Sequence, residues 1–324
     1  MLRLPRGHHR ASLVASLIVV ALATGALATA CGDGGSGWDA KSVAGTIEGR
    51  PFTPIITNSN LGAGKNRLSV ALFDKNQKLV ADAKVKATFF RLDKEPEGEP
   101  TNPQRAGEAT LSPRVLKAEV DAHTDHDHGN DTTAYVTTVE FDRVGFWGMS
   151  LDVTQGGKTH RGLRMVFAVQ ERTLEPQVGD RAPASKQLVL SDVKGVEEVD
   201  SSLKPNVELH RLTVAQAVAS GKPSVIAFVT PAFCQTRFCG PVLDQVITPA
   251  WNDFKGQANV LHIEPYDLVK ARGGKLETVA AVQEWKLLAE PIVFVVGRDG
   301  VITAKFEGVM DYPEVKAAIQ EALK

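Results

Sequence analysis

Apolar and polar residues alternate with a period of two through much of the first half of the chain. Arg67–Phe73 and Lys84–Phe90 carry the pattern, and so do Ala134–Phe141, Gly145–Val153 and Leu163–Val169. Asp74-Lys75-Asn76-Gln77 is a polar turn cluster between the first two. Such alternation turns one face of a strand to a core and the other to solvent. Short strands with turns at this spacing predict an all-β sandwich over residues 44–172.

The pattern changes after Glu171. Residues 173–187, with Pro176, Gly179 and Pro183, read as a linker. Beyond it, Leu188–Leu190, Val225–Val229 and Asn259–Glu264 are apolar runs of strand length. Helical spacing appears in Thr213–Ser220 (stopped by Gly221), from Val242 to Trp251, in Lys275–Leu287 and in Tyr312–Leu323. Asp299-Gly300 turns into a further strand, Val301–Phe306. Strands alternating with helices predict a sheet covered on both faces over residues 188–324.

Residues 1–30 are excluded from the fold. Arg3, Arg6 and Arg10 precede the Ala-rich apolar run Leu13–Ala30, which ends Leu27-Ala28-Thr29-Ala30-Cys31. A basic start and small residues before a break are the marks of a secretory signal. Cysteine directly after them resembles a bacterial lipobox, which implies lipidation at Cys31 and a membrane anchor. An uncleaved membrane span is the alternative. Both place the remainder outside the cytoplasm, and the lipoprotein reading puts it on the outer face of the cell membrane. Residues 31–43 form a Gly/Ser-rich tether. The chain carries 37 basic and 38 acidic side chains, so no nucleic-acid footprint is present. Its 324 residues suit two domains, each able to bury a core.

Three cysteines are present. With Cys31 lipidated, Cys234 and Cys239 remain, an even number in an oxidising compartment. They lie where the Val225–Val229 strand gives way to a helix, and N–H groups at a helix start favour thiolate. Residues five apart on one helix point about 140° away from each other. Pairing therefore needs Cys234 in the loop and Cys239 near the helix start. A bridge closing so short a loop removes little chain entropy, which favours a reactive pair over a structural staple.

Four features together resemble the thioredoxin superfamily, in its extracytoplasmic membrane-anchored TlpA/ResA branch, over Val178–Lys324. These are Val178-Gly179-Asp180-Arg181-Ala182-Pro183, the strand–Cys–helix unit, Glu290-Pro291 leading Ile292–Val296, and the Asp299-Gly300 hairpin. The resemblance implies an α/β thioredoxin fold and a cis Pro291 facing the thiols. It also implies thiol–disulfide exchange with protein substrates and a redox partner, with no cofactor required. Four residues separate the cysteines where the family has two, and Gly240-Pro241 follows the pair. Val225–Val229 holds no acid to match the family's buried proton handler. Cys234 is the expected attacking thiolate and Cys239 the resolving thiol; the reverse assignment stays open. Arg237 is a candidate charge partner for the thiolate, and Glu290 a candidate proton handler. His262, inside an apolar strand, reads as a satisfied buried histidine.

The stretch Tyr135…Phe141-Asp142-Arg143-Val144-Gly145-Phe146-Trp147-Gly148 resembles the immunoglobulin-like domains of the YtkA/FixH kind, some of them linked to copper. Within this half, His123, His126 and His128 stand among aspartates. Imidazole and carboxylate suit zinc or copper(II), so this loop is a candidate metal site. Two further readings follow. Copper-delivery proteins of the Sco kind use two cysteines and a distant histidine. Thr236-Arg237-Phe238-Cys239 is similar to the peroxiredoxin pattern of a threonine three residues before a cysteine.

Overall fold

Each of the five alternating segments forms a strand. The computed structural model describes residues 51–93, 103–117, 131–234, 236 and 238–324. In the first half the strands are β1 (Phe52–Ile56), β2 (Gly64–Asp74), β3 (Lys84–Arg91), β4 (Gln104–Leu116), β5 (Thr132–Phe141), β6 (Gly145–Gln155) and β7 (Lys158–Val169). All pairings are antiparallel, in the order β1-β2-β5-β4-β3-β6-β7. Inward residues of alternate positions, among them Leu68, Val70, Val85, Phe89, Tyr135, Phe141, Trp147 and Met149, make one core. Tyr135 keeps its hydroxyl satisfied there, donating to Val80 O and accepting from Ala83 N, each at 2.9 Å. The β6–β7 turn has Gly156 and Gly157 at φ 55° and 76° between the paired Gln155 and Lys158. Positive φ at both central residues is what a tight two-residue hairpin demands.

The expected immunoglobulin-like sandwich of two sheets is not what forms. One seven-stranded sheet curls until its ends nearly meet, with Gln170, just beyond β7, bridging to Leu61–Ala63 in the connection from β1 to β2. β4 explains the difference. Its first part pairs with β3 through Gln104–Leu111, and its last part with β5 through Ser112–Leu116. A strand of 13 residues that changes partner midway joins what would otherwise be two sheets. Gly107 and Pro113 lie inside it, and these residues weaken the sequence signal for a strand.

The second half has β8 (Ser224–Phe228), β9 (Asn259–Ile263), β10 (Ile292–Val296) and β11 (Ile302–Glu307), in the order β11-β10-β8-β9. Only β8 and β9 are parallel. The helices are α1 (Val214–Ala219), α2 (Cys239–Val242), α3 (Thr248–Phe254), α4 (Leu268–Arg272), α5 (Ala280–Glu284) and α6 (Tyr312–Leu323). A π-turn, Leu243–Ile247, joins α2 to α3. The expected α/β thioredoxin fold is likewise corrected. With seven strands curled into a near-closed sheet and four more in a second, the described chain is mostly β. Among its α-helices only α6 exceeds seven residues. Local signals keep them short. Gly273-Gly274 ends α4, and Lys286 at φ 51° lies just past α5, which covers only Ala280–Glu284 of the helix expected over Lys275–Leu287. Leu188–Leu190 is not a strand; a 3-10 turn, Leu190–Asp192, begins there.

The two sheets lie in one compact unit. Arg67 of β2 reaches α6, donating to Glu314 through Nε and Nη2, both at 2.8 Å, and to Val309 O at 2.8 Å. Ser59 N donates to Glu307 Oε1 at 2.8 Å, and Ser59 Oγ donates to the same oxygen. No described helix is long and apolar enough to cross a membrane.

Candidate redox site and a buried histidine group

β8 is buried along its whole length, so its C-terminal end delivers the chain at a fixed point. Thr230–Cys234 leaves there as a loop, and Cys239 opens α2. The described cysteines are both free thiols; Cys234 is half-buried and Cys239 has no exposure. The backbone N–H of Cys239 donates to Cys234 Sγ at 3.4 Å. Cys234 Sγ also lies 3.2 Å from Thr236 Oγ1, which donates to Glu290 O at 3.3 Å. The Glu290–Pro291 bond is cis. Cys234 thus touches Cys239 directly and, through Thr236, the Glu290 carbonyl that precedes the cis Pro291.

The two thiols differ sharply. The Cys239 side chain is the largest influence on Cys234 and, with the Thr236 hydroxyl and neighbouring N–H groups, overcomes burial. It brings the Cys234 thiol down to about 5. Burial foremost, and then the competing Cys234 sulfur, pushes the Cys239 thiol far up. A thiolate with some exposure beside a buried thiol is an arrangement in which the first sulfur can act as a nucleophile. Tyr266 donates to Glu290 Oε1 at 3.4 Å, and burial followed by the Glu290 charge raises its phenol to about 12. A notch of about 90 Å³ beside it is lined by Tyr266, Leu288 and Glu290. Arg237, the expected charge partner, lies outside the described residues, as do Cys31, the residue 1–30 signal and the His123, His126 and His128 loop.

A second cluster was not foreseen. Asp200, His210 and His262 are each buried, and one ligand atom from each lies within 4.8 Å of the others. Such a group could hold a metal ion. His210 sits in the 3-10 turn Val207–His210, and its Nε2 is 3.0 Å from Asp200 Oδ2. His262 is in β9, with Nε2 3.0 Å from Val229 O and Nδ1 3.6 Å from Asp200 Oδ2. Ser202 N holds Asp200 Oδ1 at 2.8 Å. Burial opposes the Asp200 charge, but the two imidazoles win and hold its carboxyl well below the usual range. Burial pushes the nearby Glu264 carboxyl up. His262 is thus buried, as its apolar strand implied, but not fully satisfied. Nδ1 has no hydrogen-bond partner. Asp200 and His210 fall in a segment with no hydrophobic period, so only His262, polar inside an apolar run, carried any signal.

No family model matches the chain, and no curated protein matches it. Solved structures with some similarity include the Lin-41 filamin domain, at 13% identity over 38% of this chain and 95% of that one, TM-score 0.18. Superoxide reductase (neelaredoxin) from Ignicoccus hospitalis E23A is 13% identical over 37% of this chain and 80% of that one, TM-score 0.19. The outer membrane decaheme cytochrome OmcA is 12% identical over 37% of this chain and 23% of that one, TM-score 0.19. Scores this low carry no argument about fold or function.

Proposed function

We propose that the protein is a thiol–disulfide oxidoreductase acting outside the cytoplasm, tethered through lipid at Cys31. The observation that carries this reading is the asymmetry of the thiol pair: a half-buried Cys234 whose sulfur accepts the Cys239 N–H, next to a Cys239 with no exposure. The secretory signal and the even count of remaining cysteines support the compartment.

The reaction balances as follows. Cys234 thiolate attacks one sulfur of a substrate disulfide; the S–S bond breaks and one substrate thiolate leaves. Cys239 gives its proton to that leaving thiolate and attacks Cys234 Sγ. The second substrate sulfur departs as a thiolate that takes its proton from water, and the Cys234–Cys239 disulfide remains. The substrate gains two electrons and this protein loses two. A dithiol redox partner restores the starting state, and the cycle run backward oxidises a substrate dithiol. Thr236 helps at Cys234. Its hydroxyl can turn from Glu290 O to the sulfur as the thiolate forms, without moving heavy atoms.

The test is the reduction potential of the pair, measured on the full chain in defined thiol buffers. A value between about −270 and −120 mV supports exchange, and one below about −300 mV marks a static staple. Rapid peroxide consumption by the reduced protein would reassign it as a peroxidase. Stoichiometric copper(I) uptake by the thiols would reassign it as a copper-delivery protein.

A further inference from the structure

We propose that Asp200, His210 and His262 form a binding site for a divalent transition ion of the zinc class, separate from the thiol pair and independent of its role. The argument starts from a hydrogen-bond mismatch. Val229 O can only accept, so His262 Nε2 donates to it across 3.0 Å. In the neutral ring that leaves Nδ1 as a lone pair. Nδ1 is fully buried, has no hydrogen-bond partner, and faces the carboxylate oxygen of Asp200 at 3.6 Å. Two acceptors facing one another in a dry interior repel unless something positive lies between them. His210 Nε2 approaches the same oxygen at 3.0 Å.

The spacing suits an ion. Zinc bonds to nitrogen and oxygen of about 2.0–2.2 Å set tetrahedral ligand atoms about 3.4 Å apart. The separations of 3.0 and 3.6 Å bracket that value. The surroundings suit it too. A ligating histidine usually donates its other N–H to a carbonyl or carboxylate, which fixes the ring; His262 does so to Val229. Asp200 is held by Ser202 N at 2.8 Å. Two imidazoles and one carboxylate leave a fourth position open, and His210, His262 and Glu264 line a cleft of about 370 Å³ through which ion and water can enter. Glu264 Oε2, buried without a partner, offers an acceptor for water at that position. The rival occupant of the gap is a proton, which would make His262 an imidazolium against Asp200.

The experiment uses the full chain, stripped with chelator and titrated with cobalt(II). One equivalent is expected, with the visible bands of a nitrogen–oxygen site and no thiolate charge-transfer band. Binding should persist in a Cys234→Ser/Cys239→Ser variant and in a His123→Ala/His126→Ala/His128→Ala variant. It should weaken in Asp200→Asn and His210→Gln, by at least the roughly 10- to 100-fold that loss of a supporting partner causes. X-ray absorption of the zinc-loaded native protein, which needs no variant to fold, should show two imidazoles and no sulfur bound to the metal. Absence of stoichiometric binding, binding that follows the cysteines or the loop histidines, or sulfur bound to the zinc would overturn the proposal.

Discussion

The backbone N–H of Cys239 donates to Cys234 Sγ across 3.4 Å, so the buried member of the pair stabilises the thiolate of the accessible one. Loop and helix start meet at one sulfur. That contact sets the first expectation. Alkylation of Cys234 should titrate with a midpoint of about 5, and Cys239 should stay unlabelled until the protein unfolds. Cys239→Ala should raise the Cys234 midpoint, because the Cys239 side chain is the largest cause of its lowering. Equal, slow labelling of both thiols followed by peptide mapping would remove the basis for a reactive pair.

Thr236→Val should raise the same midpoint while leaving the fold intact, since the residue is exposed. It removes the hydroxyl 3.2 Å from the sulfur. A hydrogen bond to a charged group contributes about 1.5–3 kcal/mol, and exposure argues for the low end. Thr236→Ser, which restores the hydroxyl, should restore the midpoint. An unchanged pH–rate profile in Thr236→Val would show that the hydroxyl serves only Glu290 O.

Glu307 couples the halves and should make stability depend on pH. Burial holds its carboxyl above the ordinary range, against the two Ser59 donors. The folded state then keeps a proton that the unfolded state loses. This contribution is complete at acid pH and falls away as pH rises from the usual carboxylate range through the raised value. Each unit of separation counts for about 1.4 kcal/mol. Glu307→Gln still accepts from Ser59 yet carries no charge. It should match the native protein at pH 4 and exceed it at pH 7 in urea unfolding. Glu264, also raised, will retain part of the slope in the variant. A variant less stable than native at pH 7 would contradict this.

Arg67→Ala should destabilise the whole unit by about 2–3 kcal/mol. Removing one partner of a buried ion pair costs about 3–5 kcal/mol. Here the pair keeps 11% and 17% side-chain exposure, and Arg114 Nε remains 3.2 Å from Glu314 Oε2 to share the orphaned charge. Arg67 also lies over the Phe306 ring at 5.6 Å, so packing is lost as well. A double-mutant cycle with Glu314→Ala should return a coupling of about 0.5–3 kcal/mol. Additive effects would mean that the contact does not join β2 to α6 energetically.

Local order was legible wherever a period or a stop signal reached the sequence. Tyr312–Leu323 is helical over the span its apolar stripe marks, and Thr213 caps α1 by accepting from Gln216 N. The cysteine pair was legible because strand, loop and helix start follow one another directly in the chain. β4 was not, since glycine and proline interrupt its alternation, and without it two sheets were expected in place of one. The Asp200–His210–His262 group was hidden for another reason. Its members come from an irregular segment and a strand some sixty residues apart, and nothing local ties them.

The sequence alone determined the five alternating strands of the first half, the capped and terminal helices α1 and α6, the place where the two thiols enter, and the near balance of basic and acidic side chains. Those properties depend on side-chain period, on glycine and proline, and on summed charge, all written in consecutive residues. Tertiary structure alone decided that seven strands make one near-closed sheet, that one thiol is buried and its neighbour is not, and that two histidines share a carboxylate. Each of these depends on which distant groups are excluded from water together, and burial is a property of the folded whole.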